Sequence, residues 1–151
     1  MEIVKGDLLQ MFNCKRFDII LHGCNCKHVM GVGLALTLQK EYPAILEHDK
    51  LNKRNPGDIL PVNTVNGIIV NCYTQIYPGF SKGYNNDTSM DRYRYIKECL
   101  MKVDSKYKGK RIGVPYIGGK YGGLLKSRIK EIIRESFINN KVTLVEYDKE
   151  R

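Results

Sequence analysis

The sequence predicts an α/β fold in which a central mixed sheet lies between layers of helices, and three observations carry that prediction. Twice the chain passes from an apolar strand-like run through a glycine-bearing turn into a helix-like segment, first around HGCNCKHVMGVG (22–33), then around IGGKYGG (117–123). Elsewhere, too, strand-like and helix-like segments alternate, as in layered α/β domains. The dipeptide Asn66-Gly67 between two apolar runs marks a hairpin, which adds an antiparallel pair and makes the sheet mixed.

In order along the chain, residues 2–5 read as a first strand ended by Gly6, and Asp7 caps a helical turn begun by Leu8. Residues 17–22 form a second strand, in which Ile19, Ile20 and Leu21 suit burial. Residues 33–42 form a helix interrupted by Pro43, and a polar, lysine-rich connection runs on to the turn at Pro56-Gly57. Strands at 58–63 and 68–74 are joined through Asn66-Gly67. A loop rich in Gly, Asn and Tyr covers 77–88, and a helix at 89–103 carries Tyr93, Ile96, Leu100 and Val103. A strand at 111–116 leads through the second glycine cluster into a helix at 124–138. There Leu124, Leu125, Ile129, Ile132, Ile133 and Phe137 recur at helical spacing. A last strand covers 142–147. No repeat or low-complexity linker divides the chain, so residues 1–151 are expected to form one domain.

Composition narrows the function classes. Hydrophobic residues at 42% and charged residues at 27% are ordinary for a globular chain of 151 residues. No apolar stretch approaches the ~18 residues of a membrane span, and MEIVKGDLLQ lacks the pattern of a signal peptide. A cytoplasmic protein without a membrane partner is expected. The odd set Cys14, Cys24, Cys26, Cys72 and Cys99 then suggests free thiols. His22, Cys24, Cys26 and His28 alternate, but on an extended strand such neighbours lie ~6–7 Å apart. Zinc needs ligands at about 2.0–2.3 Å from one point, and no glycine sits where the chain would have to curl, so no metal is expected. Lys plus Arg number 25 against 16 acids, a net charge of +9. That fits either an anionic partner or a solvated basic surface. Lys126, Arg128 and Lys130 are mixed with Glu131 and Glu135, more a helix face than a nucleic-acid stripe, so nucleic acid is possible but not favoured.

The two glycine turns carry the chemistry. A helix N-terminus offers unpaired N–H groups and partial positive charge, and glycine lets the backbone approach an anion closely. Gly31 and Gly33 stand in such a position, with His22, Asn25 and Lys27 before them. Two turns of this kind at one sheet edge suit the two phosphates of a diphosphate.

These segments resemble the macrodomain family, α/β/α modules that bind ADP-ribose. Gly6-Asp7-Leu8 is similar to the motif whose aspartate accepts from the adenine amino group. HGCNCKHVMGVGLA is similar to the asparagine-bearing segment and first phosphate loop, with Asn25 on the most informative asparagine. Gly118-Gly119-Lys120-Tyr121-Gly122 is similar to the second phosphate loop, where an aromatic lies beside the distal ribose. The resemblance runs the length of the chain. It implies a three-layer α/β/α macrodomain fold with a central mixed sheet and no cofactor. It also implies an ADP-ribose site drawn from Asp7, Leu8, Gly31, Val32, Gly33, Leu34, Gly118, Gly119, Lys120, Tyr121 and Gly122.

The H-x-C-N-C form is most similar to the branch that removes the terminal phosphate of ADP-ribose-1″-phosphate; in most other members an asparagine stands at the position of His22. Val32 and Lys120 depart from the family pattern, in place of a glycine and of a small or aliphatic residue. The lysine–aspartate pair of members that cleave glutamate-linked ADP-ribose is not evident, since Thr74-Gln75 follow the strand at that place.

Each role has a plainer alternative. Asp7 is an adenine acceptor or only a helix cap. Asn25 orients the distal ribose or a water beside the scissile phosphate, or bonds its own backbone as loop asparagines do. His22 suits proton transfer at neutral pH, or is a core histidine; together with Asn25 it forms the candidate catalytic pair. Cys24 and Cys26 read as small buried neighbours of Asn25, and His28 and His48 as surface residues. The expected function is an ADP-ribose-1″-phosphate phosphatase. The alternatives are a mono-ADP-ribosyl hydrolase acting on ADP-ribosylated protein, or a non-catalytic ADP-ribose reader. A nicotinamide-dependent oxidoreductase fits poorly, because Leu36 stands where the dinucleotide fingerprint wants its third glycine or alanine.

Overall fold

A computed structural model describes residues 1–81, 86–119 and 122–147. The elements run β1 (Glu2–Gly6), α1 (Leu8–Asn13), β2 (Ile19–Asn25), α2 (Gly33–Glu41), α3 (Ala44–Asp49), β3 (Ile59–Thr64) and β4 (Gly67–Gln75). They continue with α4 (Ser89–Lys106), β5 (Arg111–Val114), α5 (Lys126–Ser136) and β6 (Lys141–Tyr147). Six strands form one sheet in the order β1-β6-β5-β2-β4-β3. Five run parallel, and β3 lies antiparallel to β4 at one edge, so the sheet is mixed as expected.

Alternation along the strands makes the layers, because successive side chains point to opposite faces. Ile19 and Leu21 of β2 join Ile96, Leu100 and Val103 of α4 and Ile129, Ile132 and Ile133 of α5. Ile20 and Cys24 face the other way, into a core with Leu8, Leu9 and Phe12 of α1, Leu38 of α2 and Ile45 of α3. The three-layer α/β/α arrangement follows. Among the described residues no helix is long and apolar enough to cross a membrane.

Three local differences from the sequence reading have physical reasons. Strand β2 starts two residues later and runs on through Asn25, because β4 is long enough to pair with its polar end, Gly23 against Cys72 and Cys24 against Tyr73. The motif beginning at His22 therefore starts inside the sheet. Helix α3 replaces part of the expected connection; Pro43, at φ −55°, presets its entry, and Ile45 is its one fully buried apolar anchor in a lysine-rich stretch. In the hairpin, Thr64 pairs with Gly67, so Val65 and Asn66 make the turn and Gly67 takes φ +144°. A side chain there would fall 2.6 Å from the Asp18 carbonyl oxygen.

Gly113 in β5 tests the layer contact. A Cβ on it would sit 2.6 Å from the Phe17 ring and 2.8 Å from Leu8. Gly113→Ala is expected to lower stability by about 1–3 kcal/mol, the cost of overpacking. The measurement is a shift of the urea midpoint at unchanged m-value.

Candidate functional site

All five parallel strands end at the same sheet edge, so the segments after β1, β2, β4 and β5 meet there. Between β5 and β2 the connections diverge: the chain leaves β2 for α2 on one face and leaves β5 for α5 on the other. Ligands of open α/β sheets bind in the crevice at such a switch point. From β1 to β2 is three strand spacings, about 14 Å at about 4.8 Å each. An elongated ligand can therefore reach from Asp7 to the first glycine loop.

The first loop is shaped by Asn25. Its side-chain amide donates to the Val29 carbonyl at 2.8 Å, and its oxygen accepts from the N–H groups of Lys27 at 3.0 Å and Val29 at 3.3 Å. Asn25 is 9% exposed, and its carboxamide organises the loop's own backbone. Three further ties hold the loop. The Cys26 N–H reaches the carbonyls of Gln75 and Ile76, Met30 is buried in the core, and the Lys27 ammonium lies 4.5 Å from the Tyr77 ring centre.

His28 takes φ +62° and places Nδ1 3.1 Å from a buried Asp49 oxygen, whose other oxygen accepts from the Tyr73 hydroxyl at 2.6 Å. His28 is thus no mere surface residue; its half-buried ring lies against Asp49 of α3. Beyond these ties Gly31 and Val32 are exposed, Val32 at 56%. Gly33 opens α2 at φ +60°, and Leu34 packs at the edge of the core. Helix α2 has neither a side-chain cap nor an acid in its first turn, whereas α1 and α4 carry caps from Asp7 and Thr88. An N-terminus of this kind suits an anion.

His22 lies below this loop. It is 1% exposed, and Nε2 lies 2.6 Å from Asn71 Oδ1. Asn71 donates in turn to the Ile45 carbonyl at 3.0 Å, which gives Nε2 the proton and links β2, β4 and α3. Burial pushes its pKa down to about 4, against the opposing pull of the Asn71 hydrogen bond and the Asp49 charge. The imidazole is therefore neutral at pH 7. Burial likewise raises the Cys24 thiol, and raises Cys26 to about 11, so neither is a ready thiolate.

Asp7 accepts from the Gln10 N–H at 3.2 Å as the cap of α1, and Leu8 is buried in the core. In the second loop Gly118 takes φ +78° and its carbonyl receives the Leu124 N–H at 3.0 Å. Gly122 sits on it so closely that a Cβ would fall 2.7 Å from the Gly118 carbonyl oxygen. A Cβ on Gly119 would face inward, toward Tyr116 and Ile129. Lys120 and Tyr121 lie outside the described residues.

The sequence reading missed Arg92 and Asp87, which are buried against each other beside both loops. A signal existed: Arg92 continues the apolar stripe Ile96, Cys99, Leu100 and Val103 at i−4, and a cation on a buried stripe needs a reason.

The comparisons agree with this fold. No family model matches the chain. An uncharacterized 17.5 kDa protein of Enterobacteria phage T4 is 38% identical over 86 residues, 50% of this chain and 54% of that protein. An ADP-ribose 1″-phosphate phosphatase of Meyerozyma guilliermondii is 33% identical over 61 residues, 38% of this chain and 34% of the enzyme. The chain thus spans about half of the phage protein and about a third of the phosphatase. Among solved structures, the macrodomain of Mycobacterium tuberculosis DarG superposes with a TM-score of 0.74 at 19% identity, over 96% of this chain and 98% of that one. Thermosipho africanus DarTG, solved in complex with ADP-ribose, gives a TM-score of 0.65 at 18% identity, over 93% of this chain and 40% of that one.

Proposed function

We propose that this chain, which has the macrodomain fold, binds ADP-ribose across the crevice between β5 and β2 and hydrolyses the phosphomonoester of ADP-ribose-1″-phosphate. The observation that carries the reading is the convergence of Asp7 and both glycine loops on one sheet edge. In this reading Asp7 and Leu8 mark the adenine end. The N–H groups around Gly31, Val32, Gly33 and Leu34 hold one phosphate. Gly118, Gly119 and Gly122 bring the second loop over the diphosphate and distal ribose, with Lys120 adding positive charge and Tyr121 a ring face.

Water attacks the terminal phosphorus as the bond to the ribose oxygen breaks, one of its protons passes to that oxygen, and inorganic phosphate and ADP-ribose leave. Preformed donors aimed at the phosphoryl oxygens stabilise the developing charge. Asn25 acts by shaping the first loop, and His22 by fixing β2 against β4 and α3. The partial likeness to the Meyerozyma guilliermondii phosphatase supports the phosphatase step.

Calorimetry with ADP-ribose and AMP, run beside phosphate release from ADP-ribose-1″-phosphate, tests both halves. ADP-ribose is expected to bind much more tightly than AMP; equal affinities would sink the two-loop site. A specific observation favours a second reading as a non-catalytic reader: His22 is buried and neutral, and the Asn25 carboxamide is engaged by its own loop. Tight binding without phosphate release would decide for it.

Asp7 has two roles to separate. Serine also caps helices, so Asp7→Ser is expected to keep the stability of α1. It is expected to weaken ADP-ribose binding by about 1–3 kcal/mol, the range for a hydrogen bond to a charged group. Unchanged affinity would leave Asp7 as a cap alone.

A further inference from the structure

Arg92 lies in the first turn of α4 and is 1% exposed. Its Nε donates to Asp87 Oδ1 at 2.8 Å, and the second Asp87 oxygen accepts from the Ile76 N–H at 2.7 Å. Its Nη1 donates to the carbonyls of Gly79 at 2.6 Å and Gly122 at 3.2 Å, and Nη2 to that of Tyr77 at 3.3 Å. One guanidinium thereby ties the segment leaving β4 to the second glycine loop. Through Ile76, whose carbonyl receives the Cys26 N–H, the tie continues to the first loop.

A buried ion pair is a poor way to stabilise a core, since apolar groups of similar volume often do as well. What it supplies is direction. A planar fork with five donors can hold a carboxylate and three carbonyls in fixed relation, and a lysine ammonium cannot. Apart from the Asp87 carboxylate, these contacts go to the backbone of the two loops, and among the described residues none goes to the Asp7 end.

We propose that Arg92, seated on Asp87, is the positioning residue that sets the spacing of the loops around the distal ribose and its phosphate, and so selects ADP-ribose over nucleotides lacking that ribose. The inference rests on the ADP-ribose reading above. In this arrangement the adenine end is indifferent to Arg92, while the distal end depends on its fork geometry and not on its charge alone.

The test compares the parent with Arg92→Lys and Arg92→Met. The readouts are affinity for ADP-ribose and for AMP, and hydrogen exchange of the amides of Tyr77 and Gly79 and of residues 122–124. Arg92→Lys is expected to weaken ADP-ribose binding by about 10–100-fold, as small misplacements of positioning groups do. AMP affinity should stay unchanged, and protection of both segments should fall together. ADP-ribose affinity equal to the parent's, or an equal loss for AMP, overturns the proposal. Should Arg92→Met fail to fold, Arg92→Lys alone decides. Should the parent itself not bind ADP-ribose, the functional reading fails separately. The exchange data then still judge the clamp: joint loss of protection in Arg92→Lys supports it, and unchanged protection overturns it.

Discussion

Gly122→Ala is expected to abolish measurable ADP-ribose binding while leaving the six-stranded sheet folded. The Cβ would fall 2.7 Å from the Gly118 carbonyl oxygen and 2.8 Å from the Gly118 Cα. These are backbone atoms, with no flexible side-chain end to swing aside. The loop has to open, which strains the Leu124-to-Gly118 hydrogen bond and withdraws the Gly122 carbonyl from Arg92. The flanking residues Ile117 and Leu124 are anchored in the core, so the damage stays local.

A loss of 100-fold or more, about 3 kcal/mol at 1.4 kcal/mol per tenfold, is the expected calorimetric result. Circular dichroism should show the parent's secondary structure. Gly31→Ala is the comparison, because its Cβ would meet nothing nearer than a Val29 methyl at 3.7 Å. That variant is expected to fold as the parent does, and any loss of affinity in it reports space needed by the ligand. Parent-like binding by Gly122→Ala would remove the second loop from the site.

The second loop also shows what a sequence can disclose about such a site. That Gly118, Gly119 and Gly122 mark a candidate functional turn is legible, because a glycine cluster between a strand and a helix is more than a change of direction requires. Why each is glycine is not legible. Gly118 supplies a positive φ, Gly122 permits close contact with Gly118, and Gly119 has its missing side chain facing the interior. The layered fold is legible because strands and helices alternate with clear periods. Helix α3 is not, since six residues with one fully buried apolar anchor give no period to read. The extension of β2 through Asn25 depends on pairing with β4, a contact across about 50 positions that no local pattern encodes. Arg92 shows in the sequence only as a cation on an apolar stripe; what it holds, like the His28–Asp49 contact, depends on partners far along the chain.

His22→Gln is expected to remove a large part of the stability loss on acidification while leaving the pH profile of the proposed turnover intact. The imidazole ordinarily takes up its proton near pH 6.5, and in the folded chain burial moves that point to about 4. Between these values the unfolded chain holds a proton that the folded chain lacks. Stability therefore rises with pH through this window, and is lost as pH falls from about 6.5 to about 4. The full difference amounts to about 3 kcal/mol at and below pH 4.

Glutamine stays neutral throughout and can still donate to Asn71, so the variant should lose this slope even where it is less stable at pH 7. Urea denaturation of parent and variant at pH 4, 5, 6 and 7 checks it, and the difference between the two cancels the other titrating groups. Turnover decides the role. A histidine that fixes β2 to Asn71 from below leaves both limbs of the pH profile of the proposed phosphatase activity in place when replaced by glutamine. A histidine that transfers the proton takes one limb with it and costs about 10²–10⁴-fold in rate. Its 1% exposure and its engagement with Asn71 point to the first outcome. Loss of a limb in a stable variant would return His22 to the chemistry, and would require the crevice to open down to the base of the first loop during turnover.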